Sequence, residues 1–161
     1  MRILGIDPGT VRIGYGLVDD TKGVLSPITY GVIETTSKGI ARIYELGVAL
    51  RELIKRHNPE VIGIETIYFA KNQKTALSVS EARGAMLFIA QEAGLPIYEI
   101  RPGDVKLSVA GYGAADKLMV AKMVKKILTM DEVKGHDDAS DALAIAIATS
   151  SLLKRERLGQ L

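Results

Sequence analysis

The sequence predicts a mixed α/β domain, in which an antiparallel meander continues into alternating helix and strand and the sheet is flanked by helices. Three observations predict it. Three β-like runs are complete by Glu34 with only short links between them, and short links require antiparallel neighbours. The hydrophobic period then changes, with Ile43, Leu46, Leu50, Leu53 and Ile54 recurring at helical spacing. Finally, Val61-Ile62-Gly63-Ile64-Glu65 repeats the grammar of the opening Arg2-Ile3-Leu4-Gly5-Ile6-Asp7: an apolar run that closes on a carboxylate.

Taken in order, the opening strand breaks at once at Pro8-Gly9, which removes a ladder donor and permits a tight turn. Ile13 to Val18 reads as a second strand, with Gly14 and Gly16 where side chains would crowd a neighbour. Asp19 to Gly23 carries a hairpin turn signal, and a third strand is centred on Tyr30 to Glu34. The first helix ends at Asn58-Pro59. After the Val61–Glu65 strand comes a polar, aromatic and basic loop from Tyr68 to Lys74. A long helix from Thr75 to Ala93 follows, mixing small residues (Ala76, Ser80, Gly84, Ala85) with large ones and capped by Gly94. Leu95 to Ile100 is a further strand. Pro102 opens a short helix that Gly111-Tyr112-Gly113 breaks, and Asp116 to Thr129 is a basic amphipathic helix. A linker from Met130 to His136 leads to a last, alanine-rich helix from Asp138 to about Leu153, with residues from about 151 to 161 as a polar tail.

The bulk properties narrow the class without naming a function. A chain of 161 residues with 47% hydrophobic and 25% charged residues is most simply a single domain with its own core, here spanning 1–161. No apolar run approaches a membrane span and no basic leader precedes the first strand, which leads us to expect a cytoplasmic protein with no membrane partner. With no cysteine, disulfides, thiolate catalysis and Cys-based zinc sites are excluded. The net charge of +2 permits a nucleic-acid partner where the charge is clustered.

The chemistry is in the acids. Asp138 and Asp141 stand at i and i+3, on one face of the last helix and in its first turn, where the helix dipole favours negative charge. Its alanines let that helix approach a sheet closely. Packed where Asp7 and Glu65 emerge, it would bring four carboxylates together, and such a group repels itself and raises its own pKa values unless cations share the site. Hard divalent ions take all-oxygen ligand sets, and two of them about 4 Å apart serve in-line displacement at a phosphodiester. Singly, each acid has a plainer reading: Asp7 as the cap of the Pro-Gly turn, Asp138 or Asp141 as a helix cap or solvated charge. Glu65, closing a run of Val, Ile and Gly, is poorly placed for solvation.

The motifs Gly5-Ile6-Asp7-Pro8-Gly9-Thr10 with Gly14-Tyr15-Gly16, Ile64-Glu65 followed by Ala70-Lys71-Asn72, Glu81-Ala82-Arg83-Gly84, and Asp138-Ala139-Ser140-Asp141-Ala142-Leu143-Ala144 resemble the RuvC family of crossover junction endonucleases, in order and spacing, from Met1 to about Thr149. The resemblance implies a ribonuclease H-like fold, a five-stranded mixed sheet (three antiparallel strands, then two parallel) with helices on both faces. It implies a homodimer that resolves four-way (Holliday) DNA junctions by symmetric paired nicks in homologous recombination and DNA repair. Two Mg²⁺ ions per site are implied, with Mn²⁺ able to substitute, and a RuvA–RuvB branch-migration complex as partner. Carried residue by residue, the catalytic and metal positions fall on Asp7, Glu65, Asp138 and Asp141; some relatives have histidine at the third.

DNA-binding positions carry over as Tyr68, Phe69, Lys71, Arg83, Lys106 and Lys117. Tyr68 and Phe69 match aromatic residues used at the junction's unpaired centre, where stacking is sequence-tolerant. Lys106 and Lys117 match positions facing the DNA backbone in the cleft, and the Thr75–Ala93 helix matches the dimerisation element. On residues alone, these lysines read as a solvated face and the small helix residues only as close packing. His136 adjoins the acids and is read as structural. Three rivals are weighed: an actin-like or sugar-kinase ATPase, for which 161 residues are too few to form two lobes and a second phosphate loop is missing; an RNA-directed ribonuclease H-like nuclease of the YqgF type, which cleavage of junction DNA against structured RNA would separate; and a junction-binding module with a dead site, against which the presence of all four carboxylates argues.

Overall fold

The computed structural model describes residues 1–9, 11–67 and 73–159. Ten elements follow one another: β1 (Arg2–Asp7), β2 (Arg12–Thr21), β3 (Val24–Glu34), α1 (Gly39–His57), β4 (Val61–Glu65), α2 (Gln73–Glu92), β5 (Ile97–Ile100), α3 (Pro102–Ala110), α4 (Lys117–Ile127) and α5 (Asp137–Arg157). The strands form one sheet in the order β3-β2-β1-β4-β5. Pairing is antiparallel from β3 through β1 and parallel from β1 through β5, as expected.

Alternation along the strands sorts the side chains onto two faces. Ile3, Val18, Val61 and Ile100 join one buried cluster with α3, α4 and α5. Leu4, Ile6, Leu17, Ile62 and Ile64 join the other, beneath α1 and α2. Helices therefore cover both faces. The same alternation turns the glycines Gly5 and Gly63 toward α5, and α5 comes in very close. A Cβ on Gly5 would meet the Ala142 carbonyl and would lie 2.6 Å from the Ala146 amide, and one on Gly16 would lie 2.7 Å from the Leu143 amide. Bare backbone in the central strands thus seats an alanine-rich helix that is buried without a break from Ala142 to Ser150.

Besides shifts of one or two residues, as where α2 begins at Gln73 and β5 at Ile97, the boundaries differ from expectation in three places. The first hairpin is tighter than the turn signal implies: Thr21 still pairs with Val24, and only Lys22 and Gly23, both at positive φ, make the turn. Two consecutive left-handed residues match the twist of the flanking strands. Strand β3 begins at Val24 and runs through Pro27, with a register shift opposite Leu17 and Val18. Proline is tolerated because β3 is an edge strand. Helix α5 does not stop near Leu153 but continues to Arg157. Lys154 reaches Asp20 at 3.4 Å and Glu156 accepts from the Tyr98 hydroxyl at 2.8 Å, while Lys154, Arg155 and Arg157 complement the helix C-terminus.

Candidate active site

β1 and β4 run parallel in register, with Gly5 opposite Gly63 and Ile6 opposite Ile64. The next residue on each strand is Asp7 and Glu65. Both are two positions beyond a glycine that faces α5, so both carboxylates leave the sheet on the α5 side. The chain cannot continue straight after Asp7: Pro8 has no donor, and a Cβ on Gly9 would collide with the Arg12 carbonyl. Gly14 performs the same service for the helix, since a Cβ there would strike the backbone of Asp138. The first turn of α5 is therefore pressed against the ends of the strands that present the acids.

A cleft of about 210 Å³ results, lined by Asp7, Glu65 and Asp141 together with Lys106 of α3, Lys117 of α4 and an apolar wall that includes Val105 and Val120. Burial first, and then the charges of Glu65, Asp141 and Asp138, push Asp7 from its ordinary 3.8 up to about 7, against the pull of Lys117. Burial and Asp141 push Glu65 from 4.5 to about 7, opposed by Lys106. Lys117 donates to Asp141 at 2.9 Å and stands 3.5 Å from Asp137. Burial works against its charge, but these carboxylates outweigh it and hold its pKa above the usual lysine value.

The fourth acid is set apart. Asp138 does not line the cleft; its carboxylate lies 4.0 Å from the Arg12 guanidinium. Arg12 in turn stands 2.6 Å from His136 Nδ1 and 3.9 Å from Glu34, and His136 occupies the position just before α5. His136 thus sits in a polar group beside the acids rather than among them. Among the described residues, no three acidic or imidazole side chains converge on one point that an ion would fill. Three of the four acids share the cleft, and the side chains of Asp141 and Asp138 face Lys117 and Arg12.

Of the expected DNA-contacting residues, Lys106 and Lys117 line the cleft. Tyr68, Phe69 and Lys71 lie outside the described residues. Arg83 does not line the cleft. Its side chain is only 16% exposed, it donates to the Glu65 carbonyl at 3.1 Å, and it pairs with Glu99. Arg12 was not legible as part of the site, because its neighbours His136 and Asp138 are more than a hundred residues away in the chain.

Comparison with known proteins agrees with this geometry. The family model described as crossover junction endodeoxyribonuclease RuvC matches residues 3–149. A protein of that name from Caldanaerobacter subterraneus subsp. tengcongensis is 43% identical, covering 99% of this chain and 98% of the relative. The Moorella thermoacetica protein is 44% identical over 94% of this chain and 92% of its own length. Among solved structures, Thermus thermophilus RuvC in complex with Holliday junction substrate superposes with a TM-score of 0.90 at 32% identity, covering 99% of this chain and 97% of that one. The yeast mitochondrial Holliday junction resolvase Ydc2 shares the fold, with a TM-score of 0.68 at 16% identity over 97% of this chain and 83% of that one. With a family model matched over residues 3–149, a matching sheet and relatives matched along nearly its whole length, the chain belongs to the RuvC family of crossover junction endodeoxyribonucleases.

Proposed function

We propose that this protein resolves four-way DNA junctions by hydrolysing one phosphodiester in each of two symmetric strands. The observation that carries the reading is the meeting of Asp7, Glu65 and Asp141 in one cleft beneath α5, in a chain of this family. The donor set suits hard divalent ions. It is all oxygen, and Asp7 and Glu65 are pushed up to about 7, so the cluster concentrates more negative charge than it can hold ionised at neutral pH. Asp7, Glu65 and Asp141, joined by Asp138 on the family's pattern, would hold two Mg²⁺ ions, with Mn²⁺ as a substitute. Bound there, such ions supply a water of lowered pKa and stabilise the leaving 3′ oxygen, which leaves 5′-phosphate ends.

The chain's own residues do the rest. Strand ends fix Asp7 and Glu65, so their carboxylates need no reordering when substrate arrives. Lys106 and Lys117 offer charge to the phosphates that enter the cleft, and a phosphate gives Lys117 an anionic partner besides Asp141. Pro102, Val105 and Val120 exclude water on one side, which strengthens every electrostatic contact inside. Tyr68 and Phe69 are assigned to stacking at the junction centre and Lys71 to its backbone, by family resemblance.

A twofold-symmetric substrate is served by a twofold-symmetric enzyme, so we assign a homodimer. In support, α2 exposes Leu77 (68%) and Phe88 (64%) on the face that also carries the exposed Gly84. A RuvA–RuvB complex as the branch-migration partner, and the cytoplasm as the place of work, follow from the DNA substrate and the family. The test is Mg²⁺-dependent nicking of a synthetic four-way junction. Asp7→Asn should abolish cutting while leaving junction binding, which rests on shape and phosphate contacts, within about threefold.

A further inference from the structure

We propose that Arg83 is a positioning residue for Glu65, bracing the end of β4 from the opposite face of the sheet rather than contacting DNA. The inference rests on the nuclease reading above and deepens it.

Four observations support it. Arg83 projects from α2, and its neighbour Ala82 is fully buried in the cluster between α2 and the sheet. Its Nε donates to the backbone carbonyl of Glu65 at 3.1 Å, and its terminal nitrogen pairs with Glu99. Glu99 stands opposite Ile64 in the β4–β5 ladder, so the guanidinium joins two neighbouring strands one residue apart in register. Arg83 and Glu99 also border a cavity of about 270 Å³ with Thr66, Ile67, Ser80 and Gly84, separate from the cleft that holds Asp7.

The physical consequence follows from the position of Glu65. It is the last residue of β4, and among the described residues the ladder beyond it is held by the Thr66 amide on the Ile100 carbonyl at 2.9 Å, with the Thr66 hydroxyl on the same oxygen at 3.4 Å. A carbonyl at a strand end lacks a ladder partner on one side, so the Glu65 peptide would tilt more easily without the Arg83 donor. A planar guanidinium that takes this carbonyl with one N–H and a carboxylate with another fixes the peptide plane, and with it the direction in which the Glu65 side chain leaves toward α5. Residues that orient a ligating carboxylate are worth roughly 10–100-fold in ion affinity or activity when removed. Because α2 carries Arg83 on its inner side and Leu77 and Phe88 outside, the brace also ties the proposed dimer helix to the active site.

The experiment compares wild type, Arg83→Met and Glu99→Gln. Three quantities are measured: Ca²⁺ binding by calorimetry without DNA, junction Kd with its salt dependence, and single-turnover cleavage in Mg²⁺. The expected result for Arg83→Met is Ca²⁺ affinity and cleavage each down about 10–100-fold, with junction Kd within about threefold and an unchanged salt slope. Glu99→Gln should move the first two in the same direction by about three- to tenfold. Should Arg83→Met fail to fold, Glu99→Gln, a change at an exposed side chain, decides alone. Wild-type Ca²⁺ affinity and cleavage in the folded Arg83→Met variant, or in Glu99→Gln when it decides alone, overturns the inference. So does a weakened Kd with a salt slope reduced by about one and unchanged cleavage, which would make Arg83 a phosphate contact. A wild-type protein that leaves junctions uncut would instead overturn the nuclease reading, and the Ca²⁺ arm would still report on the brace.

Discussion

Replacing Asp7 by Asn removes a charge that the folded chain holds at a cost, so the variant that loses catalysis should gain stability. Folding raises the Asp7 pKa from 3.8 to about 7, chiefly through burial. A carboxylate with a higher pKa in the native state binds its proton more tightly there, and stability is lost as pH rises from about 4 to about 7. A rise of about three pH units corresponds to roughly 4 kcal/mol at pH 8, of which roughly 2 kcal/mol is already present at pH 5. Asn keeps the shape and drops the charge. In urea denaturation with EDTA present, the advantage of Asp7→Asn over wild type should therefore grow by about 2–3 kcal/mol between pH 5 and pH 8. Saturating Mg²⁺ should erase much of that advantage, because ions bound to the native acids stabilise wild type by mass action. A variant no more stable than wild type at pH 8 without metal would refute burial and mutual repulsion as the origin of the Asp7 shift.

Two further outcomes test the frame and the cleft. Gly63→Ala places a methyl against the Thr149 hydroxyl and should cost about 1–3 kcal/mol, lowering Tm by roughly 2–10 °C; Gly63→Ala with Thr149→Ala should recover at least half of it. Equal stability of Gly63→Ala and wild type would mean that α5 is not held against the sheet. Lys106→Ala and Lys117→Ala should each weaken junction binding and reduce the slope of log K against log salt by about one, and an unchanged slope would count against either as a phosphate contact.

Much of this architecture is legible in the sequence because its determinants are local. A run of Ile and Leu closed by Asp-Pro-Gly, and another closed by Glu65, already say that two strands end on acids, and the small residues of the last helix say that it packs closely. The parts that were not legible depend on distant partners. Lys154 and Glu156 look like a polar tail until Asp20 and Tyr98 are placed beside them. Arg83 lies in a recognisable motif, but an arginine among small helix residues carries no mark of which way it faces, and only Glu65 and Glu99 draw it inward. Asp138 reads as the equal of Asp141 by spacing, yet one looks to Arg12 and the other to Lys117, because the two lie a turn apart beside different strands and helices.

We propose that the acids at the ends of β1, β4 and α5 cut DNA at four-way junctions with a divalent ion. The measurement that tests it most directly is nicking of a strand-labelled mobile four-way junction, with and without Mg²⁺, by wild type and Asp7→Asn beside a linear duplex of the same sequence. Paired nicks are expected at symmetric positions in two opposing strands, only with Mg²⁺, only on the junction and only with Asp7 intact. Nicking that persists in Asp7→Asn, or a wild type that binds the junction and leaves every strand whole in Mg²⁺ and in Mn²⁺, would contradict it.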